Sequence, residues 1–152
     1  MPGVRDFDRP LDDSGKVDAE DTGVFMNRNA YVPELTLCSG ALRARQTLEG
    51  VASQADTGRI HFDDTLYMTD AAGYLELIRG HGASETILVI GHNPMIEDLA
   101  LAISGNGDDL AKSILNRGFP TSGLAVVRFD SGLCNAEPGA GYLESFHAPG
   151  DM

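Results

Sequence analysis

Short, continuously apolar runs and longer amphipathic segments alternate along the chain. The runs at 35–38 (LTLC) and 86–90 (TILVI) are typical of parallel strands that are buried on both faces. Two further runs, at 124–129 and 142–147, predict later strands that a Gly/Pro-rich loop joins in a hairpin-like return. The hydrophobic pattern therefore indicates two buried parallel strands followed by a pair of strands near the end of the chain.

Apolar residues recur at helical spacing outside these strands. Predicted helices cover 15–29, 40–54, 70–80 and a segment whose first residue is Pro94. The predicted N-caps of three of these helices are Ser14, Ser39 and Asn93. The positions expected to face the core are Ala41, Ala44, Leu48, Val51, Ala52, Ala71, Tyr74, Leu75, Ile78, Ile96, Leu99, Ala100 and Ile103. Strands that alternate with helices predict an α/β fold of three layers, with a mainly parallel sheet and helices on both faces.

The order of the elements has one unusual feature. A chain of 152 residues suits one domain, which we expect to span residues 1–152. A doubly wound sheet usually opens with a strand, whereas this sequence opens with a loop and a helix. We therefore expect the first strand of the sheet to be missing from the sequence.

Composition and charge narrow the range of partners and cofactors. The formal net charge of −12 disfavours binding to nucleic acid or to an anionic membrane. No apolar run approaches the ~20 residues that span a bilayer, and no secretory signal is recognisable, so a cytoplasmic protein is predicted. The two cysteines, Cys38 and Cys134, are expected to be reduced and buried, and no residue cluster predicts a metal or a cofactor.

Two strand–helix junctions carry candidate chemistry. Ser39 and Arg43 lie four residues apart at the first junction, and His92 lies at the second. Ligands of open α/β sheets bind at the carboxyl ends of strands, where helix N-termini attract anions, so both junctions are expected to share one phosphate-binding cleft. Simpler interpretations remain open: His92 as an ordinary loop residue, Arg43 as a solvated arginine, and Arg9 paired with Asp6 or Asp8.

Five segments taken together resemble one family. They are DFDRPLDDSG (6–15), LTLCSGALRARQTLEG (35–50), LY (66–67), ILVIGHNPMIEDLA (87–100) and FPTSGLAVVRF (119–129). In this order and spacing they resemble the SixA-type phosphohistidine phosphatases of the histidine phosphatase (phosphoglycerate mutase-like) superfamily. The resemblance covers most of the chain and implies the three-layer α/β fold of that superfamily.

The resemblance also implies roles for individual residues. Arg43 would clamp the phosphate, Arg9 of the RPL motif would reach it too, and His92 would donate a hydrogen bond to a phosphoryl oxygen. Gly40 stands where the family usually has proline, a departure that loosens the turn and removes no ligand. Supporting roles are assigned to Ser39, Asn93 and Thr121.

The family's nucleophile has no counterpart in the sequence. These enzymes begin with a strand ending in Arg-His-Gly or Arg-His-Ala, and that histidine attacks phosphorus. The other histidines, His61, His81 and His147, are expected at the surface. A start codon assigned too late, an omitted N-terminal piece and a truly shortened protein all remain open explanations. A shortened chain would borrow the strand from a second copy and form a homo-oligomer.

The predicted function follows from this resemblance. In its complete form the protein is expected to hydrolyse a phosphorylated protein or a small phosphorylated substrate through a covalent phosphohistidine, whereas the sequence given is expected to be inactive or nearly so. A phosphoimidazole suits the site because its leaving nitrogen departs as neutral imidazole without strong acid assistance. The alternatives are a phosphoprotein-binding protein without turnover and a structural domain without an anion site.

Overall fold

Six strands and six α-helices alternate along residues 5–149, the part of the chain that the computed structural model describes. The strands are β1 (Leu35–Cys38), β2 (Arg59–Phe62), β3 (Ile87–Ile90), β4 (Ser104–Gly107), β5 (Leu124–Arg128) and β6 (Gly141–His147). The helices are α1 (Asp13–Arg28), α2 (Leu42–Ala52), α3 (Thr65–Met68), α4 (Ala71–Gly80), α5 (Met95–Ile103) and α6 (Asp109–Asn116). Single 3₁₀ turns form at Asp6–Asp8 and Leu133–Asn135.

The strands form two three-stranded sheets. In the first, β1 lies between β2 and β3 and is parallel to both. In the second, β6 lies between β4, to which it is parallel, and β5, to which it is antiparallel. The predicted α/β class with a mainly parallel sheet is confirmed, and so is the hairpin-like return of the last two strands. The division into two sheets was not predicted.

Both faces of the first sheet are covered by helices. Leu35 and Leu37 point to one side and pack with α4 and α5, while Cys38 and Ile90 point to the other side and pack with α2. This alternation is the period of two that a strand imposes on its side chains. The predicted three-layer arrangement is therefore confirmed, and each fully buried leucine contributes roughly 1.5–3 kcal/mol through removal from water.

All three predicted N-caps are wrong, beginning with those of α1 and α2. α1 is capped by Asp12, whose Oδ1 accepts from the Gly15 backbone N–H at 2.7 Å, and Ser14 lies inside the helix. α2 has Ala41 at its N-cap and no side-chain cap, and the Ser39 hydroxyl accepts from the N–H of Ala41 and not from an amide inside the helix. The carboxylate of Asp12, two residues before Ser14, thus accepts from an amide in the first turn of α1. This is the role that was predicted for the serine hydroxyl.

The start of α5 and one core position also differ from prediction. Pro94 occupies the N-cap of α5, and the Asn93 side chain donates to the Phe119 carbonyl instead of capping the helix. Ala52 is exposed at the end of α2, where the helical stripe has turned away from the core. Both cysteines are unpaired, but only Cys38 is buried, and this burial raises the pKa of its thiol to about 12.

Four elements were not predicted. β2 (RIHF) has only four residues, all of them exposed, and β4 has the sequence SGNG, which contains no apolar side chain. The unpredicted helices are the single turn α3 and α6, which Asp108 caps through the Ala111 amide. No helix of residues 5–149 combines the length and the apolar character that a bilayer crossing requires.

A large cavity separates the two sheets. It has a volume of about 1230 Å³ and is lined along its length by β3 and β5. Small-molecule pockets usually measure roughly 300–1,000 Å³, so this cavity is larger than most of them. Within residues 5–149, β3 pairs only with β1 and β5 pairs only with β6. The cavity is therefore an elongated slot between two strand edges, which we call the β3/β5 slot.

Candidate functional site

The loops that follow β1 and β3 lie side by side. The two strands are parallel, with Cys38 opposite Ile90, and the Ser39 N–H donates to the Ile90 carbonyl at 3.0 Å. This register brings the Ser39 hydroxyl within 2.8 Å of Nε2 of His92. The two junctions that the sequence singled out therefore meet at one end of the sheet, as expected from parallel pairing.

Ser39 determines how the His92 ring is presented. Its hydroxyl oxygen is fully buried, accepts from the Ala41 N–H at 3.2 Å and is hydrogen-bonded to Nε2 of His92 at 2.8 Å. The neutral imidazole carries one proton, on Nδ1 or on Nε2, and the other nitrogen is an acceptor. Burial, and secondly the charge of Arg43, lower the pKa of His92, which favours this neutral form.

Tyr74 and Gly91 hold the backbone of His92. The Tyr74 hydroxyl accepts from the His92 N–H at 3.1 Å and donates to the Leu66 carbonyl. A Cβ atom on Gly91 would lie 2.5 Å from the Tyr74 ring and hydroxyl, so glycine is required for this close approach. The sequence pattern predicted Tyr74 only as a core residue, because burial and a role beneath the site give the same apolar spacing.

Arg9 and Arg43 come together through Asp6. Nη1 of Arg43 lies 3.2 Å from Oδ1 of Asp6, and Nη1 of Arg9 lies 3.9 Å from the same oxygen. Tyr67 donates its hydroxyl to the other carboxylate oxygen at 2.7 Å, and its ring stands edge-on to His92 with centroids 5.3 Å apart. The sequence left open whether Arg9 pairs with Asp6 or with Asp8, and the structure shows the pair with Asp6. This pair places Arg9 beside Arg43.

Asn93 and Thr121 belong to the same wall of the slot. The Phe119 carbonyl accepts from the Asn93 amide at 2.9 Å, and Glu97 accepts from the Phe119 N–H at 2.6 Å. These bonds tie the loop before β5 to the start of α5. Thr121 is the exposed part of this loop and lines the slot with Arg9, Arg43, His92 and Asn93.

The remaining histidines lie elsewhere. His61 and His81 contact each other with tilted rings whose centroids lie 5.2 Å apart, and His147 pairs with Asp21 at 2.9 Å. None of these three lines the slot. Among residues 5–149 there is also no group of three or more His, Cys, Asp or Glu side chains placed to hold a metal ion.

The arrangement fits a tetrahedral anion. Two guanidinium groups and one neutral imidazole converge where two parallel strands end, in a chain whose net charge is −12. Charge-assisted hydrogen bonds from arginine are strong, and their fork geometry matches phosphate. Sequence reasoning did not assign roles to Asp6 and Tyr67, although both lie in segments that resemble the family.

Relatives of this chain are found among mycobacterial proteins. No family model matches the chain. An uncharacterized protein of Mycobacterium tuberculosis is 36% identical over 151 residues, which are 97% of this chain and 93% of that protein. An uncharacterized protein of Mycobacterium leprae is 32% identical and covers 96% of this chain and 90% of its own.

Solved structures identify the family. A structure of the protein histidine phosphatase SixA complexed with tungstate superposes with a TM-score of 0.77 at 22% identity, over 98% of this chain and 90% of that one, and shows the shared fold. The crystal structure of the candidate phosphohistidine phosphatase SixA of Agrobacterium tumefaciens has a TM-score of 0.81 and 34% identity, over 98% of this chain and 89% of that one. The chain therefore belongs to the SixA-type phosphohistidine phosphatase family of the histidine phosphatase superfamily.

Proposed function

We propose that this protein removes a phosphoryl group from phosphohistidine, carried by a protein or by a small molecule. The observation that carries the proposal is the convergence of Arg9, Arg43 and His92 at the carboxyl ends of parallel strands. Family membership supports a phosphatase, and a phosphoimidazole suits the site better than an alkyl phosphate because its leaving nitrogen needs less acid assistance.

The three side chains divide the work of phosphoryl transfer. The guanidinium groups of Arg9 and Arg43 offset charge on the equatorial oxygens, and the His92 imidazole donates a hydrogen bond to one of them. A nucleophilic imidazole forms a new N–P bond while the substrate N–P bond breaks, and the substrate leaves as neutral imidazole after gaining a proton. Water then attacks the phosphorylated nucleophile, which releases phosphate and restores the free imidazole.

We further propose that the nucleophile enters through the β3/β5 slot. An extended segment of four to five residues is roughly 13–17 Å long and matches the strands on either side. A segment parallel to β3 would end beside His92, since β3 itself leads into that residue. The resemblance to the family supports a histidine at this end of such a strand.

Turnover measured on two forms of the protein tests the proposal. The 152-residue chain and a form extended by the codons that lie in frame before Met1 are compared on a phosphohistidine peptide. We expect the extended form to turn over if the codons encode an apolar strand ending in Arg-His, and the 152-residue chain to show little or no hydrolysis. Turnover by the 152-residue chain that His92→Ala abolishes would contradict the proposed source of the nucleophile.

A second function is phosphoprotein binding without turnover. It is favoured by one observation: His92 is the histidine of residues 5–149 that lines the slot, and its Nε2 is engaged by Ser39. Binding of a phosphohistidine peptide by both forms, with no phosphate release by either, would establish it. In that case a strand borrowed from a second copy is tested by sedimentation, which should then show a dimer.

A further inference from the structure

The guanidinium of Arg43 has two distinct edges, and Asp6 uses one of them. Nη1 of Arg43 donates to the backbone carbonyl of Asp6 at 2.7 Å and to Oδ1 at 3.2 Å. Nη2 donates to Oδ2 at 3.2 Å. The carboxylate therefore grips the end of the guanidinium with a two-point contact, and the carbonyl adds a third bond.

Within residues 5–149, no group accepts a hydrogen bond from the other edge of Arg43. A guanidinium has five N–H donors in one plane, and Asp6 accepts from three of them. The two that remain, on Nε and on the far side of Nη2, lie on one edge and point in parallel. Such a pair matches two oxygens of a tetrahedral anion.

Asp6 is itself held in place from a second side. The Tyr67 hydroxyl donates to Oδ2 of Asp6 at 2.7 Å, and the Tyr67 ring packs edge-on against both Phe7 and His92, at 5.1 and 5.3 Å. The hydrogen bond from Tyr67, and secondly the one from Arg43, lower the pKa of the Asp6 carboxyl, so it stays ionised at neutral pH. The carboxylate also lies between two guanidinium groups, Arg43 and Arg9, whose charges would otherwise repel.

We propose that Asp6 is a positioning residue that fixes the end of the Arg43 guanidinium and thereby presents its Nε/Nη2 edge to the phosphate. This inference rests on the proposed phosphate site and adds a residue that the family resemblance did not assign. Asp6 does not touch the phosphate and acts only through Arg43. The opposite arrangement, in which the carboxylate takes the place of the phosphate and competes with it, predicts the opposite change in affinity.

Calorimetric titration with inorganic phosphate tests this role without any need for turnover. Asp6→Asn keeps the size of the side chain and removes its charge, and we expect about tenfold weaker phosphate binding. Asp8→Asn is the matched control, because Asp8 lies in the same 3₁₀ turn, is exposed and pairs with Arg5. We expect this control to bind phosphate within about twofold of the unaltered chain.

A double-variant cycle separates positioning from a general structural effect. Lysine at position 43 has no planar edge to orient, so Asp6→Asn in an Arg43→Lys background should change phosphate affinity by less than about twofold. Tyr67→Phe removes the hydroxyl that donates to Asp6 and is a second test if Asp6→Asn unfolds. We expect it to weaken binding by about threefold.

The outcomes are distinguishable. Equal or tighter phosphate binding by a folded Asp6→Asn variant would overturn the positioning role, and tighter binding would mean that Asp6 competes with phosphate. An unchanged loss in the Arg43→Lys background would also overturn it, because the effect would not pass through the guanidinium. No phosphate binding by the unaltered chain would overturn the proposed function itself and this inference with it.

Discussion

β1 and β3 are neighbouring strands of nearly equal length and apolar character, yet they differ in burial. All four residues of β1 are buried, whereas the first three residues of β3, Ile87–Val89, are only partly buried. β1 has a strand on each side, while β3 has β1 on one side and the β3/β5 slot on the other. The difference shows that topology, and not apolar composition, decides how far a strand is removed from water.

The same contrast continues into the loops that follow the two strands. Ser39 after β1 is completely buried, and its hydroxyl serves another residue. His92 after β3 is only partly buried and lines the slot. The residue after the enclosed strand thus supports the His92 side chain, and the residue after the strand at the slot faces the slot.

The largest expected effect concerns the cores of the two strands. Leu37→Ala removes a side chain that is 1% exposed and should lower the free energy of unfolding by about 2–5 kcal/mol. Leu88→Ala removes the same atoms from partly buried β3 and should cost no more than about half as much. Urea unfolding of both variants measures the difference, and equal losses would mean that the slot does not expose β3.

A smaller effect is expected where β3 leads into the site. Gly91→Ala forces a Cβ against the Tyr74 ring and should lower the free energy of unfolding by about 1–3 kcal/mol. It should also weaken phosphate binding, because the Tyr74 hydroxyl holds the His92 N–H. Gly80→Ala is the control, since a Cβ there meets nothing within 4 Å. Thermal unfolding and phosphate titration measure the two effects. Equal stability and equal phosphate affinity of the Gly91→Ala and Gly80→Ala variants would contradict the role given to Gly91.

The smallest expected effect is a pH dependence of anion binding. Burial holds the pKa of His92 below its usual 6.5 in the free chain, and a bound dianion would raise it. Sulfate, which does not titrate in this range, should therefore bind more tightly at about pH 5 than at about pH 8. The stability of the ligand-free chain should show the opposite trend. Its unfolded form binds this proton at a higher pH than the folded form does, so the free energy of unfolding falls as the pH drops.

The His92→Asn variant tests both the pH dependence of sulfate binding and the pH dependence of stability. It should remove most of the pH dependence of sulfate binding, measured by calorimetry at constant ionic strength. It should also flatten the acid side of the stability profile, measured by urea unfolding. A sulfate profile that His92→Asn leaves unchanged would assign the titration to another group.

The sequence pattern predicted the elements that carry a strong apolar signal. β1, β3 and the inward faces of α2, α4 and α5 could be read from period and composition, since burial requires those residue types. β4 could not be read, because Gly and Asn form its strand only through pairing with β6. The slot could not be read either, because which strand edges stay open depends on pairing between distant segments.

The candidate site was predictable to a similar extent. Arg9, Arg43 and His92 could be singled out by motif, and parallel pairing of β1 and β3 explains why two of them meet. Asp6 and Tyr67 form a hydrogen bond across 61 positions, which no local pattern reports. Their place in segments resembling the family was the one available signal.

The central claim is that Arg43 and the slot form a phosphate site, and calorimetric titration with tungstate tests it most directly. The unaltered chain should bind one tungstate, and Arg43→Ala should lose at least about tenfold in affinity. Arg59→Ala, an exposed arginine of β2 that does not line the slot, should bind as the unaltered chain does. Equal heats for Arg43→Ala and the unaltered chain would contradict the account.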